Sequence, residues 1–138
     1  MQFCCRPVER GGQVDAEAPS FSVLLHTVSE IPVVKVSGEL ELLTAHRFRE
    51  ALEEATASAG DSRPRTVVVD MSNLEFMDSS GVSALLAGTR GFTGEGGRVR
   101  LVVRDSPVRR TLRVTGLDRI FPIYPDVRSA TNGDKGAA

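Results

Sequence analysis

The sequence has no tryptophan, one tyrosine and only two histidines. Aromatic residues make up 5% of it, so any core must be built mainly from aliphatic side chains. Its two cysteines are the neighbours Cys4 and Cys5. Adjacent cysteines cannot staple a loop, and two ligands do not make a zinc site. Such sparse cysteine usage fits a reducing cytoplasm. No histidine, cysteine or acid cluster has metal-ligand spacing, so neither a metal nor another cofactor is expected. No apolar run is long enough to span a membrane, and Met1 to Arg10 lacks the apolar segment of a signal peptide. An excess of charge is missing too, since the formal net charge is -1. That excludes a global attraction to nucleic acid or to an anionic membrane. Arg98, Arg100, Arg104, Arg109, Arg110, Arg113 and Arg119 gather in the second half and are read as a solvated charged face.

What is present describes one soluble globular domain. The chain has 138 residues, 41% hydrophobic and 25% charged. Residues 1–20, broken by Pro7, Gly11-Gly12 and Pro19, read as a flexible tail. Residues 21–128 read as the domain, and residues 129–138, small and polar, as a second flexible tail. Phe21, Val23 and Leu25 alternate, and Ile31 to Val36 is β-rich, so the two form a hairpin across a turn at Ser29-Glu30. Gly38 is expected to end the second strand. Leu42, Ala45, Phe48, Leu52 and Ala55 recur at helical spacing, with Thr44 as N-cap and a stop at Gly60-Asp61 and Pro64. Thr66 to Asp70 is a nearly continuous apolar run, the pattern of a strand buried on both faces. Leu74 and Phe76 are assigned to a following loop or short extension.

A second helix should start at Ser79 or Ser80 and carry Val82, Leu85 and Leu86. Gly91 and Gly94 to Gly97 form the turn after it. Val99, Leu101 and Val103 alternate with arginines as a strand. Ser106-Pro107 supplies an N-cap and first-turn proline for a third helix that Gly116 closes. Ile120 to Tyr124 is a last, edge strand. The resulting order, β-β-α-β-α-β-α-β, implies an α/β fold with a mostly parallel mixed sheet covered by helices. Such a sheet needs no second copy to cover it, so a monomer is expected.

Enzyme readings fail on chemistry. A serine hydrolase needs a histidine base near an elbow serine. Ser79 lacks the preceding glycine of that elbow, and His26 and His46 both come before it in the chain. Gly94-Glu95-Gly96-Gly97 follows a helix and opens a strand, so it is not a dinucleotide loop. No Walker A sequence is present. The informative place is the junction Met77-Asp78-Ser79-Ser80-Gly81. The first turn of a helix has unpaired N–H groups and a positive dipole end, and Ser79 or Ser80 can cap it. On its own this is a common way to start a helix.

The surrounding residues say more. The stretch from Val67-Val68-Val69-Asp70 through Asn73-Leu74-Glu75-Phe76 to Met77-Asp78-Ser79-Ser80-Gly81-Val82 resembles the signature of the STAS domain family, specifically bacterial anti-sigma factor antagonists. Val36-Ser37-Gly38-Glu39-Leu40-Glu41-Leu42-Leu43-Thr44-Ala45 resembles it too, as do Gly96 to Val99 and Ser106-Pro107 to Leu117. The likeness covers roughly Phe21 to Val127, in order. It implies a single STAS-like domain that is not an enzyme. It further implies a partner that is an anti-sigma factor with serine kinase activity, and a metal-dependent serine phosphatase acting in reverse. The unphosphorylated form would bind the kinase and release a sigma factor, and phosphorylation would end that binding. On this resemblance the phosphoacceptor is Ser79, with Ser80 as second choice. The partner-binding set is Glu39, Glu41, Thr44, Asp78, Ser79, Ser80, Gly81 and Val82, with Gly81 letting the kinase approach the backbone. One departure stands out: the family usually has aspartate where this chain has Glu41. Glu39 and Glu41 fit partner contacts and solvated loop acids equally. The alternative function is a STAS module that binds a nucleotide or serves as a scaffold in a sensor complex.

Overall fold

The computed structural model describes residues 6–7, 21–60 and 65–132. A two-residue strand, β1 (Arg6–Pro7), pairs antiparallel with β2 (Phe21–Val28), opposite Leu25 and Leu24. β2 turns into β3 (Ile31–Leu40) as a hairpin. Its loop residues Ser29 and Glu30 have φ of 53° and 67°. Two consecutive left-handed residues make a type I′ turn, whose twist matches the strands it joins. Then follow α1 (Ala45–Ser58), β4 (Thr66–Met77), α2 (Ser79–Gly94), β5 (Arg98–Val102) and α3 (Pro107–Val114). A 3-10 turn at Leu117–Arg119, β6 (Ile123–Tyr124) and α4 (Val127–Thr131) complete the chain.

The strands lie side by side in chain order, and β3, β4, β5 and β6 run parallel. Right-handed crossovers between successive neighbours put each crossover helix on the same face. The packing agrees. Val34, Val69 and Leu101 of the sheet share one core with Phe48 and Leu52 of α1, Leu85 of α2 and Leu112 of α3. The opposite face carries Val33, Val68, Val102 and Tyr124, and Ala130 of α4 packs onto it. β4 is therefore buried on both sides, as its uninterrupted Val67-Val68-Val69 run requires. The α/β architecture with a mixed, mostly parallel sheet is the one expected.

Several boundaries differ from expectation. Gly38 does not end β3. It lies at a register shift with φ of 93°, and the strand continues to Leu40. A bulge there lets an extra residue in without breaking the ladder. Leu42 does not belong to the buried face of α1, which starts later; Leu42 is 71% exposed. Leu74 and Phe76 are strand residues, because β4 runs twelve residues to Met77. Gly91 and Gly94 belong to α2 rather than to the turn. Only Ile123 and Tyr124 of the expected last strand pair with β5. Thr44 and Ser106 occupy N-cap positions, yet neither side chain makes a cap hydrogen bond.

The segment from Ser129 starts inside α4, where Asp126 accepts hydrogen bonds from the Ser129 N–H (2.8 Å) and hydroxyl (2.9 Å). That helix also answers a charge. Arg100 is buried on the α4 side of β5 and donates to the Ala130 carbonyl at 2.9 Å. The arginines alternating with Val99 and Leu101 are thus not all on a solvated face. β1 places Arg6 and Pro7, read as tail, at the sheet edge. The rest of residues 1–20, with Cys4 and Cys5, lies outside the described residues, as do Asp61, Pro64 and residues 133–138.

Candidate functional site

The site forms where two neighbouring parallel strands end together. Glu39 pairs with Phe76 and Leu40 with Met77, so β3 and β4 release the chain on the same rung. The Asp78 N–H donates to the Leu40 carbonyl at 3.1 Å, tying the two exits to each other. Loops at the carboxyl ends of parallel strands are the usual place for function in such sheets.

The β3 exit is held by Thr44. Its Oγ1 accepts from the Glu41 N–H at 3.0 Å and lies 3.1 Å from the Glu39 carbonyl, to which its hydroxyl donates. The Thr44 and Ala45 N–H groups both donate to the Glu41 carbonyl. Thr44 is buried and serves the loop's shape, not its outer surface. The tight loop turns Leu42 and Leu43 outward, 71% and 74% exposed. Phe76, at the end of β4, is 48% exposed. Glu39 is exposed and Glu41 half-buried.

The β4 exit is shaped by Asp78, not by the serines. Its backbone is extended, with φ of -104° and ψ of -169°. Oδ1 accepts from the Ser80 N–H at 2.8 Å and the Gly81 N–H at 3.2 Å. This is the geometry of a helix N-cap, which satisfies donors that the first turn leaves over. The expectation that Ser79 or Ser80 caps α2 is corrected accordingly. Because the carboxylate takes that task, the Ser79 hydroxyl is exposed and has no hydrogen-bond partner among the described residues. Ser80 is half-buried.

Gly81 faces the other way. A Cβ built there would lie 2.7 Å from Met77 Cγ and 2.8 Å from Leu40 Cγ. Its missing side chain lets α2 press against the two strand ends, and Gly81 is buried. The expectation that Gly81 opens the backbone to a kinase is therefore corrected: its role is internal packing. Val82 is half-buried and packs against the core.

Of the sequence-assigned set, Glu39, Glu41, Thr44, Asp78, Ser79, Ser80 and Gly81 do come together at one end of the sheet. Leu42, Leu43 and Phe76 were missed. The signal was available, for Glu41-Leu42-Leu43 puts two leucines between an acid and the residue before α1. His26 lies on β2, and His46 is exposed in the first turn of α1. Among the described residues no group of three or more histidine, cysteine or acidic side chains could hold a metal ion. No helix among them is long and apolar enough to cross a membrane.

Known proteins are similar in sequence and fold. The family model described as STAS domain matches residues 22–130. The chain is similar to the anti-sigma-F factor antagonist RsfB of Mycobacterium tuberculosis, 31% identical over 117 residues, covering 85% of this chain and 92% of RsfB. It is 34% identical over 92 residues to the anti-sigma F factor antagonist of Paenibacillus polymyxa, covering 67% of this chain and 76% of that protein. The crystal structure of an anti-sigma factor antagonist from Mycobacterium paratuberculosis superimposes with a TM-score of 0.71. That match has 32% identity and covers 82% of this chain and 92% of the other. With the family model matching most of the chain and relatives above 30% identity covering it, the chain belongs to the STAS domain family.

Proposed function

We propose that the protein is an anti-sigma factor antagonist whose partner choice is switched by phosphorylation of Ser79. The observation that carries this reading is the division of labour at the start of α2: Asp78 caps the helix, and Ser79 offers an exposed, unengaged hydroxyl. The similarity to RsfB and to the Paenibacillus antagonist supplies the class of partner. That partner is an anti-sigma factor with serine kinase activity, and a metal-dependent serine phosphatase resets the switch. The protein itself does no chemistry, and it acts in the cytoplasm as a monomer without nucleic acid or membrane.

The docking surface is built from Leu42, Leu43 and Phe76 beside Ser79, with Glu39 and Glu41 at its margin. Each apolar side chain covered by a partner stabilises the complex by about 1.5–3 kcal/mol at full burial. Phosphate brings about -1.5 to -2 charges at neutral pH. It arrives next to the Asp78 carboxylate and inside the docking surface. The positive end of α2 tolerates the anion, so the fold survives. A penalty of about 2.8 kcal/mol lowers partner affinity roughly 100-fold, which is enough to reverse a choice between partners. Ser80, half-buried, is the poorer acceptor.

The test is a pair of substitutions assayed against the cognate kinase. Ser79→Ala should bind it and resist release, while Ser79→Asp should bind at least about tenfold more weakly, a loss of about 1.4 kcal/mol. Normal labelling and release of Ser79→Ala would remove Ser79 from the mechanism.

A further inference from the structure

A cavity of about 490 Å³ lies at the far end of α2 from Ser79. It exists because β6 is too short. β6 pairs only with Leu101 and Val102, so among the described residues the first half of β5 has no strand on its outer edge. The Leu101 N–H donates to the Pro122 carbonyl at 3.0 Å. Val99, one ladder step earlier, turns its N–H to the same side, where no strand continues among the described residues. The second half of α2 forms one wall, through Leu86, Thr89 and Thr93, and Ile120, Phe121 and Pro122 form the other. Ile120 is an isoleucine left 60% exposed at its mouth.

The charge of this lining is one-sided. Among the described residues its charged lining is Arg90, Arg98 and Arg100, with no carboxylate among them. Arg100 is buried and already engaged with the Ala130 carbonyl, its guanidinium 5.7 Å from the centre of the Tyr124 ring. Arg90 and Arg98 are exposed, and neither forms an ion pair among the described residues. An apolar cavity in the size range of small-molecule sites, with two unmatched cations at its rim, selects an apolar body carrying an anionic head.

We propose that this cavity binds an amphiphilic anion, with an alkyl or aryl body between α2 and Ile120–Pro122 and its head group at Arg90 and Arg98. The site is independent of the Ser79 switch: it uses the second half of α2, from Leu86 to Thr93, about 10 to 21 Å from Ser79 along the helix axis at 1.5 Å per residue. Leu86, Val99, Ile120, Phe121 and Pro122 give the lining its apolar part, which favours an alkyl or aryl body over a polar, multiply charged nucleotide.

The protein carries its own probe. Tyr124 is the only tyrosine, there is no tryptophan, and Tyr124 lines the cavity. Tyrosine emission of the full chain is followed while dodecanoate or dodecyl phosphate is added below its micellar concentration. Dodecanol, inorganic phosphate and GTP serve as controls. A saturable change with either alkyl anion supports the site, and the tighter of the two identifies a carboxylate or a phosphate head. The double variant Arg90→Gln, Arg98→Gln should weaken binding about tenfold or more. Thr93→Phe, a substitution at an exposed rim position, should block it. Equal binding of dodecanol, saturation by GTP alone, no response to either alkyl anion, or full binding by both variants would overturn the proposal.

Discussion

Asp78 is the residue on which the local geometry turns. It closes the first turn of α2 through Oδ1 and, through its own N–H, joins α2 to the end of β3. Aspartate and asparagine cap helices about equally well, whereas alanine cannot. Asp78→Ala should therefore lower stability by about 1 kcal/mol, within a range of roughly 0.5–2. Asp78→Asn should stay close to the parent, which urea unfolding of the three proteins will resolve. The Ser79 hydroxyl makes no hydrogen bond among the described residues, so Ser79→Ala should leave the same unfolding curve nearly unmoved, within about 0.5 kcal/mol. Two serines followed by glycine are legible as a helix start, but the identity of the capping side chain is not. Asp, Ser and Ser at consecutive positions all have the chemistry to cap, and only the backbone angles at Asp78 decide between them.

At the scale of elements, the β2–β3 hairpin carries a local conflict. Its type I′ turn holds Ser29 and Glu30 in the left-handed region, where ordinary side chains cost about 1–2 kcal/mol each. Asn-Gly is the pair that this turn prefers. Replacing Ser29-Glu30 by Asn-Gly should raise stability by about 1 kcal/mol, visible as a higher denaturant midpoint at unchanged slope. The turn itself was readable because β-rich runs flank it on both sides. The ends of β3 and β4 were not. Past Gly38 and past Asp70 the alternation of apolar and polar residues breaks, since the register shifts at Lys35/Ser37 and Gly38/Glu39 move side chains off the simple two-residue period. α4 is legible only as a short last helix, Asp126 to Ala130 cut off by Asn132-Gly133, and has no place in the expected element order. It is five residues long, too short for a helical period to show, and owes its place to Ala130 packing and to the Asp126 cap.

For the whole molecule, the two faces of the sheet are unequal. One is covered by α1, α2 and α3, and the other, among the described residues, has α4 over its β4–β6 half. That arrangement follows from strand order and crossover handedness, of which sequence periodicity conveys only the element order and a mostly parallel sheet; the burial of Arg100 is not conveyed, because a charge under a short helix leaves no pattern. His26 lies on the less covered side, on β2 opposite Val33. Its pKa is lowered from the ordinary 6.5 by burial first; Asp70 raises it and Lys35 lowers it further. Folding thus disfavours the charged imidazole. Above the unfolded value both states are neutral and His26 has no pH effect. As pH falls below about 6.5, the unfolded chain takes up the proton first and stability declines, levelling once the folded state is protonated too. His26→Gln should flatten the fall in stability between about pH 7 and pH 5.5, and an unchanged slope would assign that fall to other groups.

The shared rung at Leu40 and Met77 has a consequence for recombining these domains. Since the hydrogen bond from Asp78 to Leu40 and the closeness of Gly81 to both strand ends lock the two exits into one unit, neither can be exchanged alone. A graft intended to carry this protein's specificity into a related scaffold would have to transplant residues 38–44 and 76–82 as a pair.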